Sequence, residues 1–295
     1  MHWAMMTIPI FPGCLKKLHA LPHLSSGTNT VNNPIFTPKL LFQEAKIQCF
    51  FVVSKHYTME TSTLHKLKRK AGSLFENQLL QNGRVLEVRH WEPSTMIEID
   101  LHLPQADMQN WHEIPYIKIK VDNLTYRDYT PAGWDAETST CTLYVDAAHS
   151  GPGSKWAKQL QKNDTVRYLK IRSTRHAPAG TPAIIGLGDE SSMGHMLALQ
   201  QMVLPATRFS GAIVMADENH RGLFGEYFKS PLKPIERNDV YGHHSLIQWV
   251  MEQQYNLEHS VFYIAGNHTM VGELRKLLKL QGYPSSQIRI QGFWS

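Results

Sequence analysis

The sequence predicts a β + α/β chain: an antiparallel β-barrel followed by an α/β domain with a parallel sheet. Two observations carry this. Between residues 84 and 171, five short segments alternate apolar with polar residues or are β-branched, with turn residues between them. After Pro182, strand-like and helix-like segments alternate, which is the pattern of a parallel sheet with helices on its faces. The chain of 295 residues is 42% hydrophobic and 19% charged, enough apolar mass for two cores and too much for wholesale disorder.

Residues 1–58 differ from the rest. They hold Pro9, Pro12, Pro22, Pro34 and Pro38, show no clean period, and lack the ordered parts of a signal peptide. Their apolar run at 47–53 is too short to span a membrane. They read as a disordered, targeting or non-native extension, and the preferred reading is translated upstream sequence with the working start at Met59. Residues 59–81 follow as a basic helix, with Leu64, Leu67, Ala71, Leu74, Phe75 and Leu79 at helical spacing. It either packs one face or flanks an acidic ligand.

The barrel is expected over residues 82–180, with strands at 84–91, 96–103, 116–121, 140–146 and 165–171. The stretch 177–182, rich in Ala, Pro and Gly, marks the boundary. The α/β domain then covers 181–295, with strands at 183–187, 211–216, 261–265 and 287–293 and helices at 191–204, 245–255 and 268–280.

Charge narrows the function classes. The first 58 residues carry five lysines and one acid, net +4, which leaves +1 of the chain's +5 to the remainder. A nearly neutral body gives no argument for nucleic acid. Three cysteines (Cys14, Cys49, Cys141) build neither a disulfide framework nor a four-cysteine metal site, and the 16 histidines are scattered without an HExxH pair. No resident metal centre is expected.

Three constellations carry chemistry. In Arg127-Asp128-Tyr129-Thr130, the arginine fork suits a phosphate, and Tyr129, two positions on, projects to the same side of an extended chain. A phenol there can lie on a flat heterocycle, and the Thr130 hydroxyl can bond a ring nitrogen. Gly151-Pro152-Gly153-Ser154-Lys155-Trp156-Ala157 follows a strand; small residues at a helix start leave backbone N–H groups open to an anion, and Ser154 is placed to cap the helix. An ordinary turn and N-cap is the competing reading. Gly186-Leu187-Gly188-Asp189-Glu190-Ser191 lies at a strand-to-helix turn, where open parallel sheets bind ligands; it does not complete G-x-G-x-x-G. Ala265-Gly266-Asn267 ends another parallel strand on the same edge.

The ordered set R-x-Y-T, G-P-x-S-K-W-A, G-D-E-S, A-G followed by Leu274-Arg275, and a closing Gly292-Phe293-Trp294 resembles the siderophore-interacting protein family. These are FAD-dependent NAD(P)H ferric-siderophore reductases among the ferredoxin reductase-like flavoproteins. The resemblance covers roughly residues 82–294. It implies that Arg127 holds the FAD pyrophosphate and that Tyr129 and Thr130 lie at the reacting face of the flavin ring. Gly151, Gly153 and Ser154, with His149 and Trp156 beside them, would surround the flavin and its diphosphate. Gly188, Asp189, Glu190, Ser191, Gly266 and Asn267 would border the nicotinamide nucleotide, and Trp294 would lie near the flavin face. Two positions depart from the pattern: Ala132 stands where a second arginine is frequent, and Asn267 where the family has Glu.

The implied function is electron transfer from NAD(P)H through FAD to ferric iron in a siderophore, releasing iron(II). A general flavin reductase for ferredoxin, flavodoxin or quinone is the alternative enzyme, and a flavin- or siderophore-binding module the non-catalytic one. Asp217, after the strand at 211–216, sits where a ribose 2′-OH is read and leans the choice to NADH; His220 and Arg221 could instead accommodate the 2′-phosphate of NADPH. The expected partner is a ferric siderophore or other ferric chelate, with no nucleic acid and no membrane, in the cytoplasm.

Overall fold

The computed structural model describes residues 79–294 apart from residues 170 and 175. The extension over 1–58 and nearly all of the helix over 59–81 lie outside these residues.

The first eight strands make one antiparallel sheet. They are β1 (Gln81–Trp91), β2 (Met96–His102), β3 (Pro115–Asp122), β4 (Thr125–Tyr129), β5 (Ala132–Asp135), β6 (Thr140–Asp146), β7 (Thr165–Tyr168) and β8 (Arg172–Ser173). They pair in the order β4-β3-β7-β1-β2-β6-β5, with β8 against β3. Alternation sets the inside. Ile97, Ile99 and Leu101 of β2, Ile117 and Ile119 of β3, and Leu143 and Val145 of β6 converge with Tyr168 on a single core. Each such side chain contributes about 1.5–3 kcal/mol on burial. Helix α1 (Pro152–Gln159) follows β6 and lays Ala157 and Trp156 on that core. The sheet and its one core are the barrel that the alternation predicts.

The second sheet has five parallel strands: β9 (Ala183–Asp189), β10 (Arg208–Met215), β11 (Leu232–Glu236), β12 (Ser260–Asn267) and β13 (Ile288–Trp294), ordered β11-β10-β9-β12-β13. Four helices cross between them: α2 (Met193–Met202), α3 (Glu218–Tyr227), α4 (His243–Glu252) and α5 (His268–Leu280). Leu246 and Val250 of α4 and Met270, Leu274 and Leu278 of α5 pack on Ile185, Leu187, Phe262 and Ile264. Met193 and Met196 of α2 and Phe224 of α3 pack elsewhere, against Ile213, Met215 and Ala265 and also Trp91 and Met96 of the barrel. The second cluster is therefore a seam shared by barrel and sheet. The winding reverses between β9 and β12, and ligand crevices form at the carboxyl ends of strands at such a point.

The alternating strand–helix pattern after Pro182 is observed, with one strand and one helix beyond those expected. Strand β11 contains Pro234, which has no N–H to give, and it lies at the sheet edge where that loss is tolerated. Helix α3 carries Gly222 and Gly225, which dilute its period. In the barrel, β4 and β5 are strands of only 5 and 4 residues. Among the described residues no helix is long and apolar enough to cross a membrane.

One phenol helps to pin the connection between the sheets. Tyr263, fully buried on β12, donates its hydroxyl to the Ala177 carbonyl at 2.5 Å and accepts the Ala179 N–H at 2.9 Å. Tyr263→Phe leaves both backbone groups without a partner. It should lower unfolding free energy by about 1–3 kcal/mol in a urea titration, and an unchanged midpoint would show the tie to be dispensable.

Candidate cofactor cleft

A cavity of about 470 Å³ opens where the barrel meets the parallel sheet. One wall is Arg127–Thr130 with Tyr144–Asp146, His149, Gly151, Gly153 and Ser154; the other is Ser191, Gly194, His195, Phe293 and Trp294. The two walls come from sequence positions far apart. They meet because the carbonyl of Thr130 lies against the Cα of Gly194, 2.8 Å from where a β-carbon would stand. No larger residue fits there without parting the walls.

Arg127 projects from β4 and is exposed. One of its nitrogens donates to the Tyr126 carbonyl at 2.8 Å, and among the described residues no carboxylate pairs with it. Its neighbour Asp128 is engaged by Lys118 at 2.9 Å. Tyr129 is backed by Trp156, ring centroids 5.4 Å apart and planes 27° off parallel. Its hydroxyl lies 2.7 Å from the position a β-carbon on Gly153 would take. Glycine at 153 thus lets β4 and the start of α1 close on each other. Burial pushes the Tyr129 phenol up, opposed by the nearby Arg127, so it stays neutral.

The expected cap is different. Gly151 is the N-cap of α1, no side chain caps it, Pro152 occupies the first helical position, and Ser154 sits in the first turn, buried. With proline first, the free first-turn amides are those of Gly153 and Ser154, because the Lys155 N–H already bonds the Gly151 carbonyl at 3.0 Å. Two amides at a helix start, both residues lining the cavity beside the Arg127 guanidinium, suit an anionic group.

The turn after β9 supplies the other wall through a chain of hydrogen bonds. The buried Asp189 carboxylate accepts from Ser191 Oγ at 2.5 Å and from the Asn267 N–H at 2.8 Å. Ser191 Oγ in turn accepts from the Trp294 indole N–H at 3.1 Å. The last strand's tryptophan is so held at the cavity mouth, its ring 5.1 Å from that of His149. Burial raises the Asp189 carboxyl, and its two donors pull it back down. Asp189 ties the ends of β9 and β12 rather than lining the cavity; Gly188, Gly266 and Asn267 lie along the same tie. Asn267 also caps α5 through Oδ1, bonding the Thr269 and Met270 N–H groups.

Glu190 is drawn elsewhere. Its carboxylate binds Arg237 at 2.5 Å and accepts the Ala216 N–H at 2.8 Å, locking the turn to β10 and the segment after β11. Asp217 caps α3, its Oδ1 accepting from the Asn219 and His220 N–H groups. Arg221 folds back onto the carbonyls of Met215 and Ala216 at 3.0 and 3.3 Å, and His220 is buried against Trp91.

His195, unnoticed in sequence, lines the cavity from α2 with 1% exposure. Its Nε2 faces His176 Nδ1 at 3.4 Å, and Phe293 packs on it edge-on. Only the buried run Met193–Leu199 hinted at it: a helix apolar on all sides carries its one histidine inside. A second groove of about 1210 Å³, between α3 and β1, is lined by four glutamates, of which Glu98 is paired with Arg89, and the Asn219 and His220 amides at the start of α3 are already bonded to Asp217.

No protein-family model matches this chain, and no curated protein matches it in sequence. Solved structures share the fold. A siderophore-interacting protein from Acinetobacter baumannii superposes with a TM-score of 0.62 at 13% identity, over 73% of this chain and 90% of that one. A siderophore utilization protein from T. fusca gives a TM-score of 0.59 at 16% identity, over 73% of this chain and 92% of the other. Phthalate dioxygenase reductase, which transfers electrons from pyridine nucleotides to [2Fe-2S], gives 0.60 at 14% identity, over 74% and 69%. The fold expected from the sequence is the fold these structures share.

Burial and the neighbouring His176 push His195 down to about 3 from an ordinary 6.5. The unfolded chain therefore takes up a proton that the folded chain refuses. Stability is full above about pH 6.5 and falls as pH drops, by up to ~1.4 kcal/mol per unit through this group. Urea midpoints at pH 7.5 and pH 5 should differ by less in His195→Gln than in the unaltered protein, and equal differences would contradict the assignment.

Proposed function

We propose that this chain is a flavin-dependent reductase that takes electrons from NAD(P)H and delivers them to ferric iron held by a siderophore. The observation that carries the reading is the convergence of the Arg127 guanidinium, the Gly153 and Ser154 amides and the Tyr129 ring on one cleft. The residues fit FAD on their own chemistry: two first-turn amides and a guanidinium without a carboxylate partner for the diphosphate, and an aromatic ring backed by Trp156 for the flavin.

When bound, FAD accepts two electrons together and gives them up singly, which is the chemistry a nicotinamide donor and a ferric acceptor require. The protein's own work is to bind, orient and shield. Arg127 and the start of α1 would hold the diphosphate. Tyr129 and Thr130 would fix the ring edge from β4, with Thr130 offering a hydroxyl to a ring nitrogen. Trp294, pinned by Ser191, would cover the opposite face until a nicotinamide displaces it. No side chain need move a proton in the iron step. Reduction to iron(II) weakens binding by hard oxygen donors and so frees the metal.

For the donor, the carboxyl edge of the parallel sheet between β9, β10 and β12 is the proposed nucleotide site. Asp217 Oδ1 is used by its cap, which leaves Oδ2 for a ribose hydroxyl, while Arg221 is occupied by two carbonyls. This favours NADH. The barrel would form the flavin-binding part (82–180) and the parallel sheet the nucleotide-binding part (181–295) of a cytoplasmic enzyme acting on a small ferric chelate, without nucleic acid or membrane partners. A general flavin reductase serving protein acceptors is the second reading, supported by the fold shared with phthalate dioxygenase reductase.

Protein reconstituted with FAD should bleach on anaerobic addition of NADH and recover its colour with a ferric siderophore. Recovery with ferredoxin, flavodoxin or quinone but not with ferric chelates would move the assignment to the second reading. Arg127→Ala should weaken FAD binding about 10- to 100-fold, the effect of removing charge-assisted bonds of about 1.5–3 kcal/mol. Failure of the unaltered protein to retain FAD would overturn both readings.

A further inference from the structure

The loop after β11 carries a second cluster that the flavin reading does not use. Asp239 precedes α4, and His243 and His244 open it. One donor atom from each of the three lies within 4.8 Å of the other two. Asp239 Oδ2 and His243 Nδ1 are 2.8 Å apart, and both atoms are shielded from water with no hydrogen bond to any other group. Two donors this close, with no third group bonded to either, can share one cation. That is the disposition of two ligands on one ion, where bonds of about 2.0–2.2 Å set neighbouring donors about 3 Å apart.

The backbone builds this pair in advance. Gly242 takes a left-handed φ of 72°, and its amide bonds the Asp239 carbonyl at 3.4 Å. A side chain at 242 would strike Val214 of β10, so the bend is locked onto the sheet. The Asn238 amide bonds Ser245 Oγ at 3.0 Å, and the His244 amide bonds Asp239 Oδ1 at 3.3 Å. That second bond fixes the carboxylate and leaves its other oxygen facing His243. The His244 ring is exposed and stands 4.2 Å from that of His243, centroid to centroid, free to rotate inward.

We propose that Asp239, His243 and His244 form a binding site for a divalent first-row transition metal ion of the zinc type, with water completing the shell. Two imidazoles and one carboxylate select such an ion over magnesium or calcium, which prefer oxygen ligands alone. The sequence shows the ligands as D-x-x-x-H-H, an Asp–His pair at i, i+4, which is easy to pass over because no second pair frames it.

The test uses the full chain, stripped with chelator. Zn²⁺ is titrated by calorimetry and Co²⁺ by its visible ligand-field absorption. One ion per chain should bind at this site, with a Co²⁺ spectrum showing nitrogen ligation. Asp239→Asn, His243→Ala and His244→Ala should each weaken binding about tenfold or more, since even outer-shell changes cost that much. His90→Ala, an exposed histidine on β1, should leave it unchanged. His244→Ala is the decisive variant: its ring is exposed and caps nothing, so the fold, checked by circular dichroism, is retained. Absence of binding, or binding that His244→Ala and Asp239→Asn leave intact, would overturn the proposal and reduce the cluster to a helix-start ion pair.

Discussion

The cleft exists because two layers with separate cores share one apolar seam. Trp91 and Met96 of the barrel pack with Met193 and Met196 of α2 and with Ile213, Met215 and Ala265 of the sheet. Nothing in either layer alone makes a cavity at this position. Docking them brings Arg127, on strand β4, opposite the carboxyl edge of a parallel sheet. Small residues set how near the layers come: a side chain at Gly194 would collide with Thr130, and one at Gly153 with Tyr129. The close backbone approach is what gives the cleft a defined width.

The two walls are built on different principles. The barrel wall presents donors with few internal partners: first-turn amides and an exposed guanidinium. The sheet wall is cross-linked by its own hydrogen bonds. Asp189 joins the ends of β9 and β12, Ser191 joins Asp189 to Trp294, and Glu190 joins the same turn to Arg237. The first wall has the chemistry to suit an anion. The Gly188-Asp189-Glu190 stretch, expected to border a nucleotide, also joins β9 to its neighbours through Asp189 and Glu190.

Much of this was legible in residue order, for physical reasons. Alternation in Met96–His102 and Thr140–Asp146 marks strands with one wet face, and the strand–helix rhythm after Pro182 marks a parallel sheet. The R-x-Y-T and G-P-G-S stretches were visible because their chemistry is local. What stayed hidden depends on partners remote in sequence. Ser154 reads as a cap until Gly151 takes that position. His195 and the Ser191–Trp294 bond, 103 residues apart, exist only once α2 and β13 are docked. Strand β11 hides because Pro234 suppresses a strand signal that an edge position permits.

The most direct test of the account is a crystal structure of the protein grown with FAD. The account predicts the diphosphate at the Gly153 and Ser154 amides within reach of Arg127, the flavin ring against Tyr129, and Trp294 on the far side. Flavin density in the acidic groove beside α3, or none in the cleft between barrel and sheet at saturating FAD, would contradict it.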